Sequence, residues 1–376
     1  MRKALGALFP LTIVLLCCPL IAQAAVVAGP ADTETTAENE NVSDVINEQW
    51  ASLWGKDDGP APSTPETASC GTIEFFGPLA VINQHPPNLL FLSPVPERAL
   101  VLPDGSSYLK LKLDWTNVII RELDSGIVAD YDFETIRTTL DYHRGWGGGE
   151  ASIRVPYMHR GHGLLDNAIS TWHGWFGLPN GLRTKFPDYQ YRYLIVSREG
   201  LVYNDEGDRH GLGDVVLGYK YPLDLELEGG MAAVRTAVKL PLGDPDSAFG
   251  SGSVDYQLGA LYEQQLTPHW RAYFNADWVF IGEPDWENVG YQDTLTTLWA
   301  VEYALEPGTS LVAQFRTQRN ALRIGSFEAD KDAQELALGF NLRLNDNLVW
   351  SGGFNEDINP ETSPDFVVMT NLMWDW

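Results

Sequence analysis

Charged side chains at every second position are the residues of this sequence with the clearest chemical potential. Between Leu109 and Trp115, for example, Lys110, Lys112 and Asp114 alternate with apolar residues. A period of two belongs to a β-strand, whose successive side chains point to opposite faces. The same spacing in later stretches places basic and acidic residues on one common face, in nearly equal numbers: Lys110, Lys112, Arg137, Arg154, Lys220, Arg235, Lys239, Arg271, Arg316 and Arg343, with Asp114, Asp141, Asp214, Asp255, Glu263, Asp277, Glu302, Glu335 and Asp375. If that face lines a barrel, the charges either pair and fill a narrow lumen or line a channel that orients a polar solute.

Histidines are the other residues that could do chemistry. His143 shares the charged face, and a Ser–His pair on such a wall would suggest a lipid hydrolase, but no Gly-x-Ser-x-Gly motif accompanies it. His159, His162, His173 and His210 could bind a metal, yet their spacing matches no metal-site motif. We therefore predict no catalytic residue, no metal and no cofactor, and keep an enzyme as an alternative.

Twelve stretches with this period of two must position the charges. They lie at residues 109–115, 136–142, 151–157, 215–221, 234–242, 254–262, 270–280, 295–305, 311–315, 336–344, 348–356 and 364–376. Short turns alternate with longer acidic loops between them. An all-β transmembrane antiparallel barrel of about 12 strands, with short periplasmic turns and long outer loops, has this pattern. A secreted β-sandwich is the rival architecture, because its strands also alternate.

The last stretch, residues 364–376, ends the chain on an apolar edge. Such an edge promotes aggregation in a soluble protein, whereas in a barrel it pairs with the first strand. Leu372, Trp374 and Trp376 are similar to the recognition signal that outer-membrane barrels present to the barrel-assembly machinery. We therefore predict an assembly signal at these residues, with that machinery as a partner.

The amino terminus predicts export. Arg2 and Lys3 precede an apolar run and a small-residue cleavage motif, which indicates a signal peptide over residues 1–24. Residues 25–70 have the composition of a flexible acidic linker, and residues 71–376 are predicted to form the barrel with an N-terminal extended or plug segment. The net charge of −26 disfavours nucleic acid as a partner. The predicted location is the bacterial outer membrane, in contact with its lipid and lipopolysaccharide.

Residues 158–210 form the most distinctive loop. Leu165, Ile169, Trp172 and Phe176 recur there at helical spacing. Such a helix could fold into the barrel mouth as a constriction, lie at the outer membrane interface, or pack over the rim. All three alternatives remain open from the sequence.

Several motifs together resemble a known family. They lie at residues 77–79 (GPL), 83–87 (NQHPP), 113–117 (LDWTN), 160–166 (RGHGLLD), 176–181 (FGLPNG), 211–214 (GLGD) and 239–244 (KLPLGD). The set is similar to domain-of-unknown-function family 3187 of Gram-negative bacteria. The resemblance implies an envelope barrel and carries no activity or substrate. We predict a channel or uptake pore for a small polar solute; the alternatives are a structural or envelope-biogenesis barrel without conductance and a lipid hydrolase.

Overall fold

The computed structural model describes residues 73–376, except residues 125, 177–184, 186, 327–329, 359–361 and 365. The predicted signal peptide (1–24) and acidic linker (25–70) lie outside the described residues, as do the side chains of Trp172, His173 and Phe176.

Antiparallel strands dominate the described chain. In chain order they are β1 (Ser107–Asp124), β2 (Ile127–Trp146), β3 (Gly149–Gly161), β4 (Arg192–Ser197), β5 (Gly200–Asp205), β6 (Arg209–Leu212), β7 (Val215–Leu223), β8 (Gly230–Leu240), β9 (Asp255–Thr267), β10 (Trp270–Phe280), β11 (Gly290–Tyr291), β12 (Thr294–Glu306), β13 (Thr309–Gln318), β14 (Leu322–Arg323), β15 (Ala333–Asn345), β16 (Leu348–Asp357) and β17 (Phe366–Asp375). The main sheet has 15 strands, and without β4, β5 and β6 it forms a closed ring of 12. Each of the twelve predicted stretches corresponds to one strand of this ring, so the predicted barrel is confirmed.

The first and last strands close the ring. β1 pairs with β17 from Tyr108 opposite Asp375 to Asn117 opposite Phe366. This pairing gives the apolar end of the chain a hydrogen-bonded partner, which leaves the ring without a free edge.

Large apolar side chains point away from the lumen along the strands. Exposed examples are Leu111, Leu140, Ile153, Leu217, Leu258, Trp270, Trp299, Leu311, Leu338, Trp350 and Leu372. Their strand neighbours, such as Lys112 and Asp141, are buried. An apolar outside around a polar inside is the arrangement of a transmembrane barrel and the reverse of a β-sandwich, whose apolar faces meet each other.

The connections differ in length at the two ends of the barrel. Short turns join β2 to β3, β7 to β8, β9 to β10, β12 to β13 and β15 to β16, and we call this end the short-turn rim. Ser107 and Trp376 bond through their backbones at the same end. Most of the connections at the opposite, long-loop rim are longer. The alternation follows the prediction.

The long-loop rim carries more structure than the sequence predicted. β1 continues past its partner β17 and pairs from Val118 to Asp124 with β2 alone. The start of β2 also pairs with β4, which forms a hairpin with β5 inside the distinctive loop. These elements enclose a buried apolar group that we call the mouth cluster: Leu90, Phe91, Val118, Ile120, Ile127, Ala129, Tyr131, Phe133, Tyr193, Ile195, Tyr203, Ala248, Ala321, Leu322 and Ile324.

The predicted loop helix is present as α1 (Asp166–Phe176). The carboxylate of Asp166, the first residue of α1, accepts hydrogen bonds from Asn117 Nδ2 at 3.0 Å and from the backbone N–H of Tyr189 at 2.8 Å. Glu134 of β2 accepts the backbone N–H of Leu164 at 2.8 Å just before the helix. These contacts attach the start of α1 to the upper parts of β1 and β2. None of the described helices is long and apolar enough to cross a membrane.

Candidate functional site in the lumen

Residues 73–106, which we call the insert, run inside the ring before β1 begins. The rising limb of the insert starts near the short-turn rim, where the backbone N–H groups of Phe76 and Gly77 donate to the Glu302 carboxylate at 2.9 and 3.0 Å. Leu79 donates next to Gln314 at 2.9 Å. Glu302 and Gln314 belong to β12 and β13, so this limb follows one side of the wall.

The insert turns at the long-loop rim. A short 3-10 helix spans Pro86–Leu90, and His85 before it meets the Tyr131 ring edge-on at 5.5 Å. Leu90 and Phe91 then join the mouth cluster. The turn of the insert and the outer loops therefore share one apolar core.

The descending limb returns along another part of the wall. Its backbone N–H groups donate from Leu92 to Asp255, from Glu97 to Asn275, from Ala99 to Glu263 and from Leu102 to Glu150, at distances of 2.8 to 3.1 Å. Wall side chains thus satisfy backbone groups of a segment that has no strand partner of its own, as buried backbone requires.

The two limbs touch at Gly77. This residue has φ of 101°, and a Cβ there would lie 2.5 Å from Cγ of Arg98. Arg98 also donates through Nη1 to the carbonyl oxygen of Phe75 at 2.5 Å. Glycine is needed here both for the left-handed backbone and for the close approach of the limbs.

The structure buries most of the predicted lumen-lining residues. Lys110 and Arg343 are half-buried, and the others are buried: Lys112, Asp114, Arg137, Asp141, Arg154, Arg235, Lys239, Asp255, Glu263, Arg271, Asp277, Glu302, Arg316 and Glu335. Many pair across strands, with Lys112 to Asp141 at 3.2 Å, Arg235 to Asp277 at 2.7 Å and Lys239 to Asp214 at 2.5 Å. The wall therefore forms the cross-strand ion pairs that a narrow, filled lumen would have. In addition, the insert fills the space between the walls.

The predicted charges divide into two halves of the ring. Strands β1, β2, β3, β7 and β8 carry mostly basic ones: Lys110, Lys112, Arg137, Arg154, Lys220, Arg235 and Lys239, with Asp114 and Asp141, and Asp214 lies just before β7. Strands β9 to β17 carry mostly acidic ones: Asp255, Glu263, Asp277, Glu302, Glu335 and Asp375, with Arg271, Arg316 and Arg343. Opposed walls of opposite sign produce a field across the space between them.

Glu97 and Arg98 of the insert face these two halves. The Glu97 carboxylate lies 3.7 Å from Arg154, 3.7 Å from Lys220 and 3.5 Å from Arg235. Arg98 pairs with Glu263 of the acidic half at 2.7 Å. Burial alone would raise the pKa of Glu97, but the charges of Arg235, Lys220 and other nearby cations hold that pKa below its ordinary value. Glu97 is therefore ionised and neutralises part of the basic half.

One wall residue of the network, Glu150, was not among the predicted charges, and it contacts His143, which was predicted on the same face. Glu150 of β3 bonds Lys220 at 3.1 Å and His143 at 2.7 Å, and His143 reaches Asp141 at 3.1 Å through its other ring nitrogen. The inward position of Glu150 at the start of β3 was readable from the alternation with Ser152 and Arg154. Because carboxylates occupy both nitrogens of His143, this ring is not placed to activate a serine.

Three of the other predicted histidines, His159, His162 and His210, lie among the described side chains, and His173 does not. Tyr157 and His210 bond at 2.8 Å, and His162 lies 2.8 Å from Asp208. In the described part of the chain, no three His, Cys, Asp or Glu side chains are grouped so that they could hold a metal ion.

Narrow openings lie between the insert and the basic half. One, of about 20 Å³, is lined by Glu97, His143, Glu150, Arg154, Lys220 and Arg235, among others. Another, of about 30 Å³, is lined by Ile82, Leu92, Arg137, Arg154 and Lys239, among others. Arg154 and Val216 border both, so the openings adjoin along β3 and β7.

The predicted constriction helix and assembly signal stay predictions. Within α1, Ile169 is buried, and Leu165 just before the helix is half-buried. The side chains of Trp172 and Phe176 lie outside the described residues. Leu372, Trp374 and Trp376 are exposed on the outer face of β17 and beyond it.

A closed ring of antiparallel strands, apolar outside and charged inside, defines a β-barrel of the outer-membrane type. The chain belongs to the family described as protein of unknown function (DUF3187), whose family model matches residues 65–376. The predicted family is thereby confirmed. No curated protein matches this chain.

Several solved barrels are similar in fold. The COG4313 outer membrane channel from Pseudomonas putida F1 is 13% identical, with a TM-score of 0.51 over 75% of this chain and 99% of the other. The KdgM porin in complex with disordered oligogalacturonate is 6% identical, with a TM-score of 0.38 over 72% and 99%. The CymD monoaromatic hydrocarbon channel is 11% identical, with a TM-score of 0.34 over 72% and 88%. At 13% identity the likeness to the first barrel concerns the fold alone. The other two have TM-scores of 0.38 and 0.34, so nothing about this protein is inferred from them.

Proposed function

We propose that this protein is an outer-membrane channel for a small polar solute and that the insert controls passage through its lumen. The observation that carries the proposal is how the insert is held. Its backbone and its charged residues bond to charged and amide side chains of the wall, such as Glu263, Asn275 and Glu302. Water can replace bonds of this kind when the segment moves.

The width of the lumen supports the same proposal. A small barrel can fill its interior with the side chains of its own wall. This ring instead holds two limbs of polypeptide between its walls. Movement of the insert would therefore leave a wide, charged passage, in which the opposed halves orient a dipolar or ionic solute.

Apart from Leu90 and Phe91, which pack in the mouth cluster, apolar contacts between insert and wall form small groups. Leu79 and Val81 pack with Val312, Ala337, Val367 and Met369, while Ala99 packs with Ala233 and Leu261. These groups position the limbs. The polar and charged contacts along the limbs must exchange with water when the insert moves.

We assign the short-turn rim to the periplasm and the long-loop rim to the outside, as in other bacterial barrels. In this orientation the insert enters the lumen from the periplasmic end. The exposed apolar band contacts outer-membrane lipid, and the loops face lipopolysaccharide. The barrel-assembly machinery is the proposed partner during insertion.

A reversible tether between insert and wall tests the proposal. Ala99 and Ala233 lie in one buried cluster, so we select both positions for cysteines to be cross-linked by oxidation in a Cys70→Ser background. Liposome swelling is then measured with sugars, amino acids and ions, before oxidation, after oxidation and after reduction. The single Ala99→Cys variant is the matched control.

We expect swelling with the reduced protein, suppression on oxidation and recovery on reduction, with no change in the control. Equal swelling in the oxidised and reduced states would show that the insert does not control passage. No swelling in any state, with a folded barrel, would contradict the channel. It would favour the structural or envelope-biogenesis barrel, which the filled lumen also suits.

A further inference from the structure

Three cations of adjacent strands converge on one point of the lumen. Arg154 lies on β3, Lys220 on β7 and Arg235 on β8, and each is buried. Lys220 and Arg235 are direct partners in the strand register. Like charges directly opposite each other destabilise a sheet, so this pair requires negative charge nearby. Glu150 and Asp277 supply part of it from the wall.

Glu97 supplies further negative charge, but it fits the three cations loosely. Its carboxylate lies 3.5 to 3.7 Å from their nitrogens. Direct charge-assisted hydrogen bonds are shorter, about 2.7–2.9 Å. The neighbouring Arg98 meets Glu263 at 2.7 and 3.1 Å, which is a direct two-point contact. The insert is therefore anchored closely at Arg98, whereas Glu97 is attracted by charge without close contact.

The same cations also hold the backbone of the insert. Arg235 donates to the carbonyl oxygen of Val95 at 2.6 Å, and Lys220 donates to that of Arg98 at 3.4 Å. An anion that drew these side chains toward itself would weaken both the charge contact and the backbone contacts. Binding of such an anion and release of the descending limb are therefore coupled.

A narrow opening adjoins the cluster. This opening, of about 20 Å³, is lined by Glu97 together with Arg154, Lys220 and Arg235. It has room for about one water molecule, so a small molecule would reach the three cations by taking the place of the Glu97 side chain. Such a ligand needs a carboxylate to replace what Glu97 provides.

We infer that the solute of this channel is a small carboxylate, which binds Arg154, Lys220 and Arg235 in place of Glu97 and so loosens the descending limb. The inference rests on the proposed channel function and gives the solute its chemical class. Glu97 then acts as a built-in competitor whose carboxylate keeps the site occupied until solute arrives.

The test compares succinate with succinamide, which has a similar size and no charge. Full-length protein in liposomes is assayed for uptake of each, as wild type, Glu97→Gln, Arg235→Gln and Arg144→Gln. The last is the matched control, because Arg144 is exposed at the short-turn end of β2. Binding of succinate to detergent-solubilised protein is measured in parallel by calorimetry.

We expect wild type to prefer succinate over succinamide. Glu97→Gln removes the competing charge and should tighten succinate binding about tenfold, the effect of one ionic contact. Arg235→Gln should abolish the preference while succinamide still passes, and Arg144→Gln should match wild type.

Equal uptake of both compounds by wild type, with no tightening in Glu97→Gln, would overturn the carboxylate inference and leave the channel standing. Tightening in Glu97→Gln that persists in a Glu97→Gln/Arg235→Gln double variant would also overturn it, because the cluster would not be the site. No uptake of either compound by any folded variant would overturn the channel proposal itself.

Discussion

Glu263 offers the sharpest test of how the insert is held. Its buried carboxylate receives bonds from Arg98 at 2.7 and 3.1 Å, from the backbone N–H of Ala99 at 3.1 Å and from Arg271 at 2.8 Å. Glu263→Gln keeps the size of the side chain and removes the charge that faces the two guanidinium groups. The docked insert should lose stability relative to the released one.

The expected loss of docking free energy depends on which contacts of Glu263 break when the insert leaves the wall. Removing one partner of a buried ion pair costs about 3–5 kcal/mol. Arg271 belongs to the wall and loses its partner in both states, so only the Arg98 share affects docking. We therefore take about 3 kcal/mol, the lower end of that range. At about 1.4 kcal/mol for each factor of ten, the ratio of released to docked insert rises roughly 100-fold.

Cysteine accessibility measures that ratio. Ala99→Cys in a Cys70→Ser background is buried while the insert is docked, so its reaction with a maleimide reports the released population when docking is fast. Single-channel recordings in planar bilayers give the open fraction of the same protein. Glu306→Gln, an exposed carboxylate at the end of β12, is the matched control.

We expect labelling of the Glu263→Gln protein to accelerate by about two orders of magnitude, with longer open times and an unchanged control. A labelling rate within about twofold of the parent, in a barrel of normal heat stability, would refute the reasoning. It would mean that apolar contacts at the mouth cluster, rather than the Arg98 ion pair, determine docking.

Three further predictions address other parts of the barrel. Gly77→Ala should weaken docking by about 1–3 kcal/mol, because a left-handed backbone and the Arg98 side chain both oppose a Cβ; unchanged labelling of the cysteine probe would contradict this. Trp376→Ser should reduce the folded, heat-modifiable barrel in outer-membrane fractions, and normal insertion would argue against an assembly signal. Deleting residues 164–176 in the Glu263→Gln background should raise single-channel conductance if α1 narrows the mouth, and an unchanged value would exclude that role.

The division of the ring into a basic and an acidic half could have been predicted from the sequence. Once strands follow one another around a barrel, their order along the chain is also their order in space. Lys220 and Arg235 are therefore neighbours because a short turn joins their strands. Counting the charges together, without that order, gave a nearly neutral wall and concealed its basic and acidic halves.

The extended mouth of the barrel was harder to predict. Residues 127–135 of β2 do alternate, with Asp130, Asp132 and Glu134 between apolar residues, but side chains on both faces of this stretch are buried. Pairing with β1 and β4 makes this stretch a strand, and packing with the outer loops buries it. The strand was therefore readable from the alternation, whereas the burial of both its faces depends on tertiary contacts.

The sequence by itself determined the number of ring strands, the face that each apolar side chain takes and the turns that join neighbours. The physical reason is that a period of two and a turn are properties of a few consecutive residues. Only the tertiary structure decided where residues 73–106 lie, because their partners are distant: Arg98 and Glu263 are 165 residues apart, and Phe76 and Glu302 are 226 apart. The prolines of this segment leave no periodicity that could predict such contacts, so the opposed charges of the folded wall determine its path.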